Sequence, residues 1–198
     1  LGPATAAASA LYAEVASVLR GAAAALRSGD EAAARDILER AREADTLVDQ
    51  LRTKADGAHE SIWLVYRSSD RSERLADLEH ATTQCDYLVR NVRVLARASV
   101  GVLRTGERPP EAMMTAIEGL AASVSLMAAT PIDRHLVDDA RETALTAVST
   151  AASAVPEGVS LSQVTIVGQV RASAIDLLRA SGVPDRETTD RVDAALGA

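Results

Sequence analysis

Aromatic residues are scarce in this chain of 198 residues, which contains no phenylalanine, one tryptophan and three tyrosines. Sandwiches and barrels of β-strands rely on aromatic and β-branched side chains, whereas alanine and leucine favour helices. The composition therefore predicts an all-α fold. It also argues against a surface that stacks the bases of single-stranded nucleic acid on aromatic rings.

Cysteine is represented by Cys85 alone, which excludes an intrachain disulfide and a cysteine-based zinc site and fits a reducing compartment. Acidic residues outnumber basic ones by 28 to 21, and the net charge of −7 argues against a nucleic-acid partner. Residues 71–108 are an exception, because this segment alone has more basic than acidic side chains.

Long apolar runs and enzyme motifs are also missing. Uncharged runs such as 143–156 and 158–170 are too short to span a bilayer. No glycine-rich phosphate loop, nucleophile elbow or HExxH motif is present. We therefore predict no enzyme activity and no cofactor.

Apolar residues recur at alternating steps of three and four, the period of helices that pack nearly antiparallel. The pattern predicts long helices in residues 4–106, and shorter helices ending in a short C-terminal helix in 110–198. We predict one helical domain, an elongated antiparallel bundle of about six long helices plus the short one. Two three-helix bundles that share the long central hairpin are a second arrangement of the same helices.

Several helix ends can be predicted from capping residues. Asp30, Ser72 and Asp185 are expected to cap the second, third and seventh helices, and the fifth is expected to begin at Asp133. The first helix is expected to end at Ser28-Gly29-Asp30, and Gly106 suits the left-handed position that ends the third helix.

The fifth and sixth helices differ in their inward faces. The fifth has a face of alanines, which predicts a close approach to its neighbour. Residues 164–170 are rich in β-branched side chains and favour a strand by propensity. No partner strand exists elsewhere, so we predict a helix with Val164, Val167 and Val170 on its inward face.

Two histidines follow carboxylates at the spacing of ligand pairs in di-iron bundles: Asp56 precedes His59, and Asp77 precedes His80. Leu78 holds an inward position of the third helix, so His80 points outward by helical geometry. We therefore predict no metal site.

A stripe of arginines runs along the third helix, where Arg90, Arg97 and Arg104 recur every seven residues and Arg93 lies beside them. This arginine stripe is the candidate site for an anionic ligand or lipid headgroups. The alternative, which we favour, is ion pairing with the second helix. In an antiparallel hairpin whose paired numbers sum to about 137, the expected partners are Glu39 with Arg97, Glu43 with Arg93, and Asp45 or Asp49 with Arg90.

Trp63 and Tyr66 lie near the end of the second helix in a chain with few other rings. We expect them to fill the end of the bundle, since a large ring fills a gap that alanine leaves. The alternative is contact with a neighbouring domain or a membrane interface. Cys85 lies at a predicted core position, where it would act as a small inert hydrophobe.

The segments LADLEH (75–80) and CDYLVRNVRVLAR (85–97) resemble the soluble region of bacterial FUSC-type proteins, the fusaric-acid-resistance and aromatic-acid-exporter group. Residues 20–30 and 41–51 look like the first two helices of that region. The resemblance covers roughly residues 5–130 and is best at 87–97.

This resemblance implies that the chain is the cytoplasmic domain of a longer bacterial membrane protein, at the inner membrane. It implies that a transmembrane domain of about six helices in the same polypeptide is the partner. The chain begins at Leu1 without methionine and has no signal peptide, which agrees with a fragment. The expected role is non-catalytic: assembly of protomers or regulation of transport, with a homo-oligomer as a further expectation.

A free-standing regulatory or adaptor bundle, similar in shape to PhoU-like proteins, is the alternative. Such proteins are expected to bind metal through acidic clusters on their helices. Asp45, Asp49 and Asp56 supply a loose version of such a cluster.

Overall fold

The computed structural model describes residues 2–65, 70–130, 133–155 and 160–197, except for the side chains of 58–75, 77 and 78. These residues form seven helices and no strand, which confirms the all-α prediction. The helices are α1 (Gly2–Ser28), α2 (Glu31–Val65), α3 (Asp70–Arg104), α4 (Glu111–Ala129), α5 (Leu136–Ser153), α6 (Leu161–Ala180) and α7 (Asp185–Ala195).

Two predicted helix ends are confirmed by their backbone geometry. Gly29 follows α1 with φ +74°, and the Asp30 carboxylate accepts a hydrogen bond from the Ala33 amide at 2.9 Å, so Asp30 caps α2. Gly106 follows α3 with φ +73°. A side chain would be strained at both glycines, and each therefore ends its helix where the sequence predicts.

Three predicted helix starts are wrong. Ser72 lies inside α3, which begins at Asp70. Asp133 accepts a hydrogen bond from the His135 amide in a turn, so α5 begins three residues later than predicted. Asp185 is the first residue of α7 and Pro184 holds the cap position, while the Asp185 carboxylate pairs with Arg179 at 2.8 Å.

The helices form two groups of three. α1, α2 and α3 contact one another, as do α4, α5 and α6, and the groups meet where α1 packs on α4 and α3 packs on α6. Of the two helices in the α2–α3 hairpin, only α3 contacts both groups, because α2 packs only against α1 and α3 among the described elements. α7 packs across α5 and α6.

Neighbouring helices run antiparallel, as their side-chain contacts show. Arg27 near the end of α1 bonds Glu111 at the start of α4, while Arg20 reaches Ser125 near the end of α4. On the other side, Asn91 of α3 bonds Asp176 of α6. The predicted antiparallel bundle is thus confirmed.

A continuous apolar core runs through α1 to α6 and is built from aliphatic side chains. A smaller cluster joins α5, α6 and α7 around Val148, Leu178 and Val192. The alanine face of α5 is buried, as predicted. A Cβ placed on Gly119 of α4 would lie 3.3 Å from the Cβ of Ala147, so these two helices approach closely.

The stretch 164–170 is helical, as predicted, but its inward face differs from the prediction. Ile166 is fully buried, whereas Val164 is 45% exposed and Val167 is half-buried. Gln163 takes an inward position, and its side-chain amide donates to Glu107 at 2.9 Å. The inward face of α6 is thus formed by Gln163, Ile166 and Val170 instead of by the three valines.

Among the described residues, α4 is the one helix long and apolar enough to cross a membrane by length and composition, with a mean hydropathy of 1.5. Half of its apolar window is buried in the bundle, and the core helix of a soluble protein passes the same test. Glu118 divides α4, so the longest uncharged part of this helix, 119–129, is shorter than the uncharged run 143–156.

Candidate functional site

The arginine stripe lies beside a cleft of about 270 Å³ on the α2–α3 hairpin. We call this cleft, with its charged residues, the hairpin cleft. Three acidic and three basic side chains line it, so its formal charges cancel: Asp45, Asp49, Arg52, Asp86, Arg90 and Arg93.

Asp86 is the centre of the hairpin cleft. Its side chain is 12% exposed and accepts from Arg52 Nη2 at 2.9 Å, across the hairpin. It also accepts from Arg90 Nε at 3.2 Å and lies 2.8 Å from Arg90 Nη2, one turn later on α3. The carboxylate therefore joins α2 to α3 and holds Arg90 in place.

The predicted hairpin register is close, but the predicted partners are wrong. Arg93 pairs with Asp45 instead of Glu43, and Arg90 pairs with Asp86 of its own helix. Asp45 and Arg93, like Arg52 and Asp86, have numbers that sum to 138 instead of 137. A shift of one residue turns a helical side chain by about 100°, which is enough to exchange partners.

Arg97 and Arg104 are exposed and form no ion pair with any residue that the structure describes. The predicted pair of Glu39 with Arg97 is wrong, because Glu39 binds Arg42 on its own helix. The arginine stripe is thus divided into two paired arginines and two with free guanidinium groups. The free pair is separated by seven residues, or about 10 Å along the helix, which suits an extended anionic surface better than a single small anion.

Asp45 and Asp49 also belong to the acidic set of the alternative, metal-binding hypothesis. Asp45 is bound to Arg93, and Asp49 lies 3.6 Å from Arg52. Both carboxylates therefore face arginines, which disfavours a cation between them. No group of three or more His, Cys, Asp or Glu within the described ranges is arranged to hold a metal ion.

A buried polar pair joins α1 to α3, and sequence reasoning missed it. Cys85 Sγ donates to the Tyr12 hydroxyl oxygen at 3.3 Å, and the two residues are 2% and 6% exposed. Burial raises the pKa of the Cys85 thiol to about 11. The thiol is therefore protonated at neutral pH and weakly nucleophilic.

Asp176 is a buried carboxylic acid on the face of α6 that meets α3. It is 5% exposed, and Asn91 Nδ2 donates to its carboxylate at 2.6 Å. Burial raises the pKa of Asp176 to about 7, against the opposing effects of Asn91 and Arg179. A charged residue between Ile175 and Leu177 is the sequence signal that could have identified it.

The structure describes the side chains of the predicted tryptophan, tyrosine and histidine positions only in part. Trp63 lies in α2, but its side chain and all of Tyr66 are outside the described residues, so their role stays a prediction. His80 is exposed, as predicted from its position on α3, and the side chain of His59 is outside the description.

The side chains assembled here can pair charges and donate hydrogen bonds. The hairpin cleft has its carboxylates bound to arginines, and Cys85 is buried as a thiol. Comparison of the chain with protein-family models, with curated proteins and with solved structures finds no match.

Proposed function

We propose that the chain is a non-catalytic cytoplasmic domain of an exporter-like membrane protein of the fusaric-acid-resistance and aromatic-acid-exporter type. In this role it assembles protomers or regulates transport. The observation that carries the proposal is the divided arginine stripe on α3. Arg97 and Arg104 are available to an acidic partner, while the hairpin cleft beside them is neutralised internally.

The position of α3 supports a role as the central element of an interaction domain. One side of α3 packs on α6 and another on α2 and α1, so it connects both groups of helices. Its exposed arginines therefore lie on the helix that contacts both groups. The segment 87–97, where the resemblance is best, lies in this central part of α3.

The first test is the reading frame upstream of Leu1 together with fractionation of the native protein. We expect several apolar stretches of about twenty residues upstream, and recovery of the protein in membranes washed with high salt. An immediate start codon, or recovery in the soluble fraction, contradicts the proposal.

The second test addresses the arginines in the full-length protein. The double variant Arg97→Glu/Arg104→Glu is expected to shift the detergent-solubilised assembly to a smaller size on native gels or to alter transport. The matched control is Arg35→Glu/Arg191→Glu, which reverses two exposed arginines that pair only within their own helices. Equal behaviour of the two double variants contradicts a special role for α3.

A further inference from the structure

A partly open cavity of about 190 Å³ lies at the end of the bundle where α1 begins. We call it the end cavity. α1, α2, α3 and the ends of α4 and α6 contribute to its wall. The residues that matter most for its chemistry are Ala4, Ala8, Tyr12, Leu51, Cys85 and Met127.

The end cavity exists because small residues occupy positions where five helices converge. Ala4 and Ala8 lie one turn apart on α1, and Ala81 and Ala180 face them from α3 and α6. A larger side chain at any of these positions would occupy the space. The chain has no phenylalanine with which to fill it.

The wall of the end cavity is mainly apolar and carries no charge. Leu51 and Met127 are almost fully buried and offer aliphatic and thioether surface. No Arg, Lys, His, Asp or Glu is found among the described residues that line the cavity. An anion has no cationic partner there, so burial of its charge is unfavourable.

Among the described residues, five hydroxyl side chains line this wall, those of Thr5, Ser9, Tyr12, Thr82 and Thr130, and that of Tyr12 is the least exposed. Its oxygen accepts from the Cys85 thiol, so its own proton remains available for a further acceptor. Both residues are held by buried packing, which fixes the position of the Tyr12 hydroxyl oxygen in the wall. A ligand with one acceptor oxygen can therefore be oriented by a single hydrogen bond.

We propose that the end cavity binds a neutral molecule of about one six-membered ring that carries one hydrogen-bond acceptor. Apolar cavities near 150 Å³ accept benzene in other proteins, so about 190 Å³ accommodates a ring with one small substituent. The ring packs against Ala8, Leu51 and Met127, and its acceptor receives the Tyr12 proton. This site does not depend on the proposed function.

Three probe ligands test the chemistry: acetophenone, which has a ring and a ketone oxygen, toluene, which lacks the acceptor, and benzoate, which is charged. We expect binding in the order acetophenone, toluene, benzoate, measured by ligand-detected NMR and by thermal stabilisation of the 198-residue chain at pH 7.5. One neutral hydrogen bond corresponds to roughly a five-fold preference for acetophenone over toluene. Absence of binding by both neutral probes, or benzoate binding as tightly, overturns the proposal.

Variants of α1 locate the site. Tyr12→Phe keeps the ring and removes the hydroxyl, so it is expected to abolish the preference for acetophenone over toluene. Ala8→Leu is expected to fill the cavity and abolish binding of both. Ala10→Leu is the matched control, since Ala10 is exposed on the same helix, and it is expected to bind as the unaltered chain does. An unchanged preference in Tyr12→Phe overturns the assignment.

The rate at which a thiol reagent modifies Cys85 can be measured on the unaltered chain. This measurement tests the proposal even if Ala8→Leu fails to fold. It is the one cysteine in the sequence and lines the cavity, so a small thiol reagent reports on this site alone. Saturating acetophenone is expected to slow modification of Cys85 by methyl methanethiosulfonate several-fold. An unchanged rate places the bound probe elsewhere and overturns the proposal.

Discussion

Asp176 has its carboxylate buried between α6 and α3, where Asn91 donates to it. Its pKa in the folded chain is about 7, against an ordinary value of 3.8, because burial disfavours the charged form. The folded state therefore binds the proton more tightly than the unfolded state does. The contribution of Asp176 to stability is greatest below pH 3.8 and is lost as the pH rises to about 7.

Replacement of Asp176 by Asn is expected to stabilise the fold at pH 8, because the neutral amide can accept the Asn91 hydrogen bond without a buried charge. One pKa unit corresponds to about 1.4 kcal/mol, so the gain at pH 8 is at most about 4 kcal/mol. Urea unfolding at pH 5, 6.5 and 8 measures it, and the gain should shrink toward pH 5. Asp190→Asn, at an exposed site, changes the net charge equally and should show no such trend. A pH-independent difference between Asp176→Asn and the unaltered chain contradicts this assignment.

Asp86 and Arg97 are expected to differ sharply in their effect on stability. Asp86→Ala leaves two arginines without their shared partner and should lower the free energy of unfolding by about 1–2 kcal/mol. Arg97→Ala removes no ion pair among the described residues and should change it by less than about 0.5 kcal/mol. Neutralising Arg90 together with Arg97 should also have only a modest effect. Chemical denaturation measures the free energy of unfolding of each variant. Equal losses of stability in Asp86→Ala and Arg97→Ala contradict the observed pairing.

At the scale of the helix, local signals predicted some boundaries and missed others for a physical reason. Gly29, Asp30 and Gly106 act through the backbone next to them, so the sequence is sufficient. Asp185 lies inside α7, and its carboxylate pairs with Arg179 of α6 across the turn between the two helices. That pairing depends on how α6 and α7 pack, which a capping pattern does not show.

The sequence predicted the surface on which the candidate site lies, but it did not predict the ion pairs of that site. Periodicity identified which arginines share the α3 surface and that α2 lies beside it. The partners depend on a register difference of one residue and on Asp86, a side chain that the pairing rule did not consider. The Tyr12–Cys85 contact joins residues 73 positions apart and has no local signature at all.

The close approach of α4 and α5 can be tested with a larger side chain. Ala147→Leu places additional carbons against Gly119, where the Cβ positions are 3.3 Å apart, and should destabilise the fold by about 2–3 kcal/mol. Ser149→Leu makes a similar addition on the exposed side of α5 and should change stability by less than about 0.5 kcal/mol. Thermal and urea unfolding compare the two variants, and similar stabilities would mean that α4 and α5 can separate without cost.

At the scale of the whole molecule, each group of three helices covers apolar surface of the other. Leu88 and Leu95 lie three residues before and four residues after Asn91, on the face of α3 that meets α6, and both are almost fully buried. Removal of α4 to α7 would expose them together with the α1 surface that meets α4. The boundary near residue 106 is therefore a change in helix length and not a division between independent folding units.

A chain that ends at Gly106 is expected to remain helical but to lose its sharp unfolding transition, bind a hydrophobic dye and self-associate. Circular dichroism, dye fluorescence and light scattering measure these properties. A chain that ends at Val183 is the control, because it loses only α7 and part of the smaller cluster. The control should stay monomeric with a lower Tm. A monomeric, cooperatively unfolding chain of residues 1–106 would contradict the dependence of the first group on the second.

The packing of α1 on α4 has a consequence for synthesis of the chain on the ribosome. Arg27 and its partner Glu111 are 84 residues apart, and Arg20 and Ser125 are 105 apart. At about 5–20 residues per second, translation delivers Glu111 roughly 4–17 s after Arg27. Through that interval the apolar side of α1 that will meet α4 is uncovered in the nascent chain. Ribosome-associated chaperones therefore have seconds in which to bind α1, and slower translation of residues 30–110 should lengthen that binding.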